Sequence, residues 1–214
     1  MCGLLIKEED EKKLVKLQVK DSKLLTRERR EFLFDKIKDI SYKAEIVIIN
    51  PDEIDHAVNN HDGLNLNKLE ARKSAEMINL LNPDKAIIDA PSNNIKSYKQ
   101  YLLNCINDKK IELVLEHKAD LNYPVVSAAS ILAKVTRDNE IEKIKKKIRI
   151  DFGSGYMTDP KTIDFLEKYC LVLSKKYPVW AVLISNNFFQ NSLNGRLFPP
   201  KDFNLVSIGL YVFT

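Results

Sequence analysis

Two aspartates, Asp89 and Asp120, follow apolar runs of the sequence and are the first candidates for chemistry. Asp89 ends the run at residues 85–88, and Asp120 comes shortly after the run at residues 111–115. Considered alone, Asp89 is explained as the cap of the turn that follows it. Two consecutive strands that each deliver an acid near the carboxyl end favour another interpretation, because the two carboxylates can converge on one cation. The pattern therefore predicts a divalent cation bound by Asp89 and Asp120.

The type of ligand limits the type of metal. Carboxylate oxygens favour hard cations such as Mg²⁺ and Mn²⁺. The sequence contains three cysteines, which lack the paired spacing of zinc ligands. His56 and His61 lie in a polar stretch without a second ligand at a helical or turn spacing, so we expect both on the surface. Zinc is therefore not predicted.

Strand-like and helix-like segments alternate along the chain and would position the two acids. Runs of branched apolar residues predict strands, and apolar residues at a 3.6-residue period predict helices. The predicted strands cover residues 1–6, 44–49, 85–89 and 111–115. The predicted helices begin near residues 26, 51, 66, 95 and 127; the first is capped at Thr26, and the third covers residues 66–81. This regular alternation predicts one α/β domain.

The longest predicted helix begins at Ser127, a residue type that is suited to cap it. Pro124 is assigned to the preceding turn, because proline disrupts the interior of a helix. The apolar residues that recur along one face are Ala128, Ile131, Leu132, Val135, Ile141, Ile144 and Ile148. Small residues at 128–130 allow this helix to approach a sheet closely. An acid at a strand end that faces such a helix is typical of α/β active sites.

Residues 117–138 carry a motif long enough to indicate a family. They read His-Lys-Ala-Asp, and after Leu-Asn-Tyr they continue Pro-Val-Val-Ser-Ala-Ala-Ser-Ile-Leu-Ala-Lys-Val-Thr-Arg-Asp. This pattern resembles the archaeal form of the ribonuclease HII family almost letter for letter, and a match of this length is far more specific than a short motif. The resemblance implies an RNase H-like fold, with a mixed sheet flanked by helices. It also implies hydrolysis of the RNA strand of RNA–DNA hybrids, including ribonucleotides embedded in duplex DNA.

The resemblance also implies a mechanism. In the family, carboxylates bind two Mg²⁺ or Mn²⁺ ions, one of which activates the attacking water while the other stabilises the leaving 3′-oxygen. The products carry 5′-phosphate and 3′-hydroxyl ends. Among the family's ligands, Asp89 and Asp120 are the two that can be carried over to this chain, as catalytic and metal-binding residues.

Three further residues are expected to contact the substrate. Spacing alone favours a solvated turn for Ser22 and Lys23, but the family has Asp-Ser-Lys followed by Leu near the substrate backbone, and lysine suits phosphate. Tyr156 follows Gly-Ser-Gly, and on structural grounds it is equally explained as a core ring. The family pattern there implies that Tyr156 packs on the sugar at the RNA–DNA junction, although Met157 replaces the usual proline.

Both ends of the sequence depart from the family. The family begins with a central strand that bears Asp-Glu-Ala-Gly-Arg-Gly and supplies two of four metal-binding carboxylates, and nothing in this sequence matches it. We therefore expect residues 1–177 to form an RNase H-like catalytic domain that lacks its first, central strand and is inactive as written. Residues 178–214 are expected to form an atypical tail that is disordered, aggregation-prone or encoded in a shifted frame.

Three interpretations of function follow. The favoured one is a ribonuclease H with an incomplete sequence, and the alternative is a non-catalytic fragment of the same fold that binds RNA–DNA hybrids. The third is an unrelated α/β protein that uses Asp89 alone, for example as a phosphoacceptor. The third leaves the motif at residues 117–138 unexplained.

Composition excludes few classes of partner. The chain has 34 basic and 30 acidic residues, a net charge of +4 that is too small to predict nucleic-acid binding by itself. An odd number of cysteines indicates reduced thiols in the cytoplasm. No apolar run is long enough to span a membrane, and the charged residues at 7–13 argue against a signal peptide. We expect a cytoplasmic monomer that binds no membrane.

Overall fold

The computed structural model describes residues 1–19, 25–59, 61–156, 158–176 and 209–213. Within these residues the strands are β1 (Cys2–Ile6), β2 (Lys43–Ile46), β3 (Lys85–Asp89), β4 (Glu112–Glu116) and β5 (Gly209–Phe213). The α-helices are α1 (Glu11–Lys16), α2 (Arg27–Ile40), α3 (Pro51–Val58), α4 (Leu66–Leu81), α5 (Ile95–Cys105), α6 (Ala119–Asn122), α7 (Pro124–Ile148) and α8 (Pro160–Lys176). Short 3-10 helices cover Glu8–Asp10 and His61–Gly63. The predicted α/β class is confirmed.

The five described strands form one mixed sheet in the order β2-β1-β5-β3-β4. β1 pairs antiparallel with β2 and parallel with β5, whereas β3 pairs antiparallel with β5 and parallel with β4. The mixed sheet implied by the family resemblance is therefore confirmed. Sequence reasoning expected the central strand of the sheet to be missing. Among the described strands β5 lies at the centre, because it pairs with β1 on one side and with β3 on the other.

Helices cover both faces of this sheet. Successive residues of a strand point to opposite faces, and every residue of β1 is buried. On one face, Leu4 and Ile6 belong to a hydrophobic cluster with residues of α2 and of the first half of α7. On the other face, Leu5 packs with residues of α4 and α5. β1 is therefore apolar throughout because both of its faces are covered.

The chain divides into two compact units. The first contains Met1–Ile48, Asn65–Arg137 and Ser207–Thr214, and the second contains Ile49–Leu64 and Asp138–Val206. In the described part of the second unit, Phe152, Phe165 and Leu166 form a buried cluster, with the two phenylalanine ring centroids 5.1 Å apart. The apolar period of α7 contributes to both cores: Ala128, Ile131, Leu132 and Val135 pack in the first, and Ile141, Ile144 and Ile148 in the second.

The start of α7 corrects a prediction. The helix begins at Pro124 and not at Ser127. A proline is accommodated at the first helical position, because the N–H that it lacks would be unpaired there in any case. Ser127 consequently lies inside the helix, and its hydroxyl donates to the backbone oxygen of Asp120 at 2.5 Å instead of capping α7.

Other predicted boundaries agree more closely. Thr26 caps α2, since its Oγ1 accepts a hydrogen bond from Arg29 N at 3.2 Å. α4 covers the predicted residues 66–81. The second strand is shorter than predicted: it ends at Ile46 and not at residue 49, and Ile48 is 59% exposed.

Several predictions concern residues outside the described ranges. These residues include Ser22, Lys23, Met157, the last residue of the predicted domain at position 177, and positions 178–208 of the tail. Of the tail, residues 209–213 are described, and they form β5. No helix among the described residues is both long enough and apolar enough to cross a membrane.

Candidate active site

Asp89 is the last residue of β3, and its side chain contacts the segment that follows β4. Ala86, Ile87 and Ile88 of the same strand are buried, whereas Asp89 is half-buried. Asp89 Oδ1 accepts a hydrogen bond from Ala119 N at 3.3 Å. Because Ala119 precedes Asp120 in the chain, this bond brings the carboxylate of Asp89 beside the segment that carries Asp120.

The turn between β4 and α6 places Asp120. Lys118 in this turn adopts a left-handed backbone with a φ of 57°, a conformation that costs a non-glycine residue about 1–2 kcal/mol. The turn allows α6 to start at Ala119, so that Asp120 lies half-buried in its first turn. The hydrogen bond from Ser127 Oγ to the Asp120 backbone oxygen connects the same turn to α7.

The carboxyl ends of β3 and β4 are also joined to each other. Asp89 and Glu116 face each other in the parallel register of the two strands. Ala90 N donates to Glu116 O at 2.8 Å, and His117 Nδ1 lies 3.1 Å from Ala90 O. The structure therefore brings the two predicted acids together at one end of the sheet, through contacts between residues 27 and 30 positions apart in the chain.

The two predicted ligands at this end, Asp89 and Asp120, offer carboxylate oxygens. Among the residues that the structure describes, no group of three or more His, Cys, Asp and Glu side chains is arranged to hold a metal ion. Mg²⁺ commonly uses one or two protein carboxylates and completes its coordination with waters and substrate phosphate oxygens. Asp89 and Asp120 fit that mode of binding and do not fit a closed tetrahedral zinc site.

Sequence reasoning missed a hydrogen-bond network beside Asp120. Glu116 Oε1 accepts a hydrogen bond from the Tyr123 hydroxyl at 2.8 Å, and Glu116 Oε2 accepts one from Asn122 Nδ2 at 3.2 Å. The bond to the Glu116 carboxylate favours the protonated phenol and raises the pKa of Tyr123 above its ordinary value. The sequence signal for this network is weak, because Glu116 is merely the residue before the motif at 117–138.

The glycine-rich turn of the second unit is held by its own backbone and side chains. Gly153 and Gly155 have φ values of 81° and 74°, which glycine adopts without steric cost. Asp159 Oδ2 accepts a hydrogen bond from Ser154 N at 2.6 Å. The hydrogen bonds from Ser154 favour the charged carboxylate and hold the pKa of Asp159 below its usual range.

Thr162 is buried and polar, and its side chain stabilises this turn by hydrogen bonds. Its Oγ1 accepts from Gly155 N at 3.0 Å and donates to Phe152 O at 2.8 Å. Tyr156 follows Gly155 and is half-buried, and its backbone oxygen accepts from Asp159 N at 2.9 Å.

Of the five predicted site residues, Asp89 and Asp120 lie together in the first unit, Tyr156 lies in the second, and Ser22 and Lys23 fall outside the described ranges.

The model of the family described as Ribonuclease HII matches residues 1–177 of this chain. The chain belongs to the ribonuclease HII family. The ribonuclease HII of Pyrococcus furiosus is 46% identical over 174 residues, which cover 79% of this chain and 73% of that protein. The ribonuclease HII of Methanocella arvoryzae is 40% identical over 169 residues, which cover 79% of this chain and 74% of that protein.

Solved structures of the family share this fold. The crystal structure of ribonuclease H2 from Pyrococcus horikoshii is 40% identical, with a TM-score of 0.68, over 78% of this chain and 77% of that one. A chain of the PCNA:RNase HII complex from Archaeoglobus fulgidus is 37% identical, with a TM-score of 0.67, over 76% of this chain and 75% of that one. The RNase H-like fold implied by the sequence resemblance is confirmed.

Family membership also decides between the interpretations of function. The chain is a ribonuclease H enzyme, and therefore a nuclease and a hydrolase, as the motif at residues 117–138 predicted. The interpretation as an unrelated α/β protein with Asp89 as a phosphoacceptor is excluded. Members of this family depend on divalent metal, which agrees with the oxygen donors at the end of the sheet.

Proposed function

We propose that this ribonuclease HII family member hydrolyses the RNA strand of RNA–DNA hybrids, including ribonucleotides embedded in duplex DNA, with Asp89 and Asp120 as its metal ligands. The hydrogen bond from Ala119 N to Asp89 Oδ1 carries this proposal. It holds a strand end and a helical turn together, and each of these two segments bears one acid. Family membership supports the class of reaction, and this contact supports the choice of residues.

In the proposed mechanism, the chain's own residues hold the metal ligands in position. Asp89 and Asp120 would hold Mg²⁺ or Mn²⁺. The chemistry that two such ions supply when bound is activation of the attacking water and stabilisation of charge on the leaving 3′-oxygen, with 5′-phosphate and 3′-hydroxyl products. Ala119 N keeps the carboxylate of Asp89 beside the Asp120 turn, and the Ser127 hydroxyl restrains the backbone at Asp120.

Substrate contacts are assigned to three residues. Tyr156 would pack on the sugar at the RNA–DNA junction, next to the 2′-hydroxyl that distinguishes RNA from DNA. Ser22 and Lys23 would contact phosphate oxygens of the backbone. We place this activity in a catalytic domain at residues 1–177 of a cytoplasmic monomer. The free thiols of Cys2 and Cys105 support the cytoplasmic assignment.

Replacement of Asp120 by Asn tests the metal site directly. The substitution removes a ligand charge with little change of shape, so we expect the affinity for Mn²⁺ in calorimetric titration to fall at least about tenfold. Asp84→Asn is the matched control, because Asp84 lies just before the opposite end of β3 and is exposed. Equal Mn²⁺ affinities for the wild type and Asp120→Asn would contradict the proposal.

Cleavage provides the second test of the site. The substrate is a duplex with a single embedded ribonucleotide, assayed with Mg²⁺ or Mn²⁺. The chain is assayed beside a version extended by a family-type strand that bears Asp-Glu-Ala-Gly-Arg-Gly. The proposal requires metal-dependent cleavage that leaves 5′-phosphate and 3′-hydroxyl ends. It does not specify on which side of the ribonucleotide the strand is cut. Equal activity of the two versions would show that the predicted requirement for this strand is wrong.

Tyr156 variants test the substrate contact. Stacking on an aromatic ring is worth about 1–3 kcal/mol of binding, so Tyr156→Ala should lose that amount of hybrid affinity and Tyr156→Phe should keep most of it. Tyr42→Ala is the control, because Tyr42 is 76% exposed and belongs to the first unit. If Tyr156→Ala lowers the melting temperature and leaves hybrid affinity unchanged, Tyr156 is a core residue and not a substrate contact.

A further inference from the structure

Glu116 makes contacts that neither the motif nor the metal site explains. It is the last residue of β4, it faces Asp89 in the register of the parallel strands, and it is half-buried. Its two carboxylate oxygens accept hydrogen bonds from two different donors, the Tyr123 hydroxyl and Asn122 Nδ2. Asn122 is the last residue of α6, and Tyr123 is the next residue. Glu116 therefore connects the carboxyl end of β4 to the C-terminal end of the segment that contains Asp120.

α6, the helical turn that contains Asp120, is too short to be stable by itself. α6 has four residues, and an isolated helix of that length is not stable in water. Outside the segment, Asp89 Oδ1 accepts from Ala119 N at 3.3 Å and the Ser127 hydroxyl donates to Asp120 O at 2.5 Å. At its C-terminal end, Tyr123 O accepts from Val126 N and Ser127 N of α7 at 2.9 and 3.2 Å. The direction of the Asp120 side chain consequently depends on contacts made by neighbouring elements.

We propose that Glu116 is a positioning residue for metal binding, which acts through its hydrogen bonds to Tyr123 and Asn122 to fix the α6 turn that bears Asp120. This inference rests on the proposed role of Asp120 as a metal ligand. Carboxylates that orient a ligand from outside the coordination shell commonly change metal affinity by about 10- to 100-fold when they are altered. Here the orientation is transmitted through the turn and not through a direct bond to the ligand.

Tyr123→Phe separates this role from an effect of charge. The substitution removes the hydroxyl that Glu116 binds and leaves every charge in place, so positioning predicts a fall of about tenfold in Mn²⁺ affinity. Glu116→Gln removes the charge but retains an oxygen that can accept from Tyr123, so positioning predicts a milder loss. An electrostatic role alone predicts the reverse order: Glu116→Gln should bind Mn²⁺ more weakly than the wild type, and Tyr123→Phe should bind it with unchanged affinity.

Two matched controls make the same chemical changes elsewhere in the first unit. Tyr42→Phe removes a hydroxyl from an exposed tyrosine, and Glu112→Gln removes a charge at the other end of β4, where Glu112 pairs with Lys85 at 2.8 Å. We expect both controls to bind Mn²⁺ like the wild type. The melting temperature of each variant is measured in parallel, because a purely structural role would lower it without a selective change in metal affinity.

Weaker Mn²⁺ binding by Tyr123→Phe than by both controls, with a melting temperature like theirs, supports the proposal. Wild-type Mn²⁺ affinity in Tyr123→Phe, or a loss of Mn²⁺ affinity smaller than that of Glu116→Gln, overturns it. Asp120→Asn is titrated beside these variants: if it also binds Mn²⁺ like the wild type, the proposed metal site fails, whereas a loss in Asp120→Asn alone rejects only the role of Glu116.

Discussion

The acid-bearing end of the sheet and the glycine-rich turn are both fixed by hydrogen bonds, but their partners lie at different distances along the chain. The contacts around Asp89 join residues 27 and 30 positions apart. In the turn that precedes Tyr156, the bonds of Asp159 and Thr162 span at most ten residues. The acids are therefore positioned by the register of two strands, whereas the turn is positioned by its own sequence.

Because of this difference, substitutions in the two regions should have different effects. A turn held by local bonds can be disrupted by one substitution within it, and the effect should remain in the second unit. The acid site depends on β3, β4 and α7 together, so a local backbone change in its connecting turn should be tolerated. The three predictions below test this contrast, from the largest expected effect to the smallest.

Gly153→Ala should produce the largest effect. A Cβ at residue 153 would meet Asp159 Oδ2 at 2.5 Å and Lys161 Cβ at 3.1 Å, and the φ of 81° is unfavourable for alanine. The left-handed backbone costs about 1–2 kcal/mol and the overlap adds about 1–3 kcal/mol. We expect the free energy of unfolding to fall by roughly 3 kcal/mol, as measured by urea denaturation.

The contrast between the regions predicts a second property of Gly153→Ala. Mn²⁺ affinity should remain that of the wild type, because the metal ligands lie in the first unit. Glu167→Ala, a change at an exposed position of α8 in the same unit, is the control for the loss of stability. A fall in Mn²⁺ affinity in Gly153→Ala comparable to that in Asp120→Asn would show that the two regions are not independent.

Lys118→Gly should have a smaller effect of the opposite sign. Glycine relieves about 1–2 kcal/mol of left-handed strain at this φ of 57° and costs about 0.5–1 kcal/mol of chain entropy. Thermal or urea unfolding should therefore show a net gain of about 0.5–1 kcal/mol. Lys110→Gly, in a turn without a positive φ, should lose stability.

The Mn²⁺ affinity of Lys118→Gly tests what positions Asp120 in the turn between β4 and α6. If contacts from β3, β4 and α7 place Asp120, Mn²⁺ affinity should be retained despite the more flexible backbone. A marked loss of affinity with a gain in stability would instead assign the placement of Asp120 to the local backbone.

Asp159→Asn should have the smallest effect, and that effect should depend on pH. The folded-state pKa of Asp159 lies below its ordinary value of 3.8, so the folded protein binds fewer protons than the unfolded chain in that range. Its contribution to stability is present above about pH 3.8 and is lost as the pH falls through the folded pKa. The difference in melting temperature between the wild type and Asp159→Asn should shrink from pH 7 to pH 3, and a constant difference would contradict this assignment.

Many elements of the fold could be predicted because their signals are local. α4 agrees with the predicted residues 66–81, and β3 agrees with the predicted residues 85–89. The cap at Thr26 also depends only on residues within one turn of helix. The predicted first residue of α7 was wrong because proline was treated only as a helix breaker. Pro124 is accommodated at the first helical position, and Tyr123 O, directly before it, accepts from Val126 N and Ser127 N.

The place of β5 could not be predicted from its composition. The residues at 209–213 are apolar and β-forming, which is equally typical of a sheet strand and of an aggregation-prone tail. Pairing between strands depends on neighbours that are distant in sequence, and β5 pairs with β1 and β3, which lie more than a hundred residues earlier.

By itself, the sequence determined the family, the α/β class and the two acids that end or follow apolar strands. These are properties of contiguous residues, and the motif at 117–138 is long enough to be specific. Only the tertiary structure decided that Ala119 donates to Asp89 and that Glu116 accepts from Tyr123 and Asn122. The physical reason is that these contacts require the register of β3 against β4 and the left-handed backbone at Lys118, neither of which leaves a pattern in the sequence.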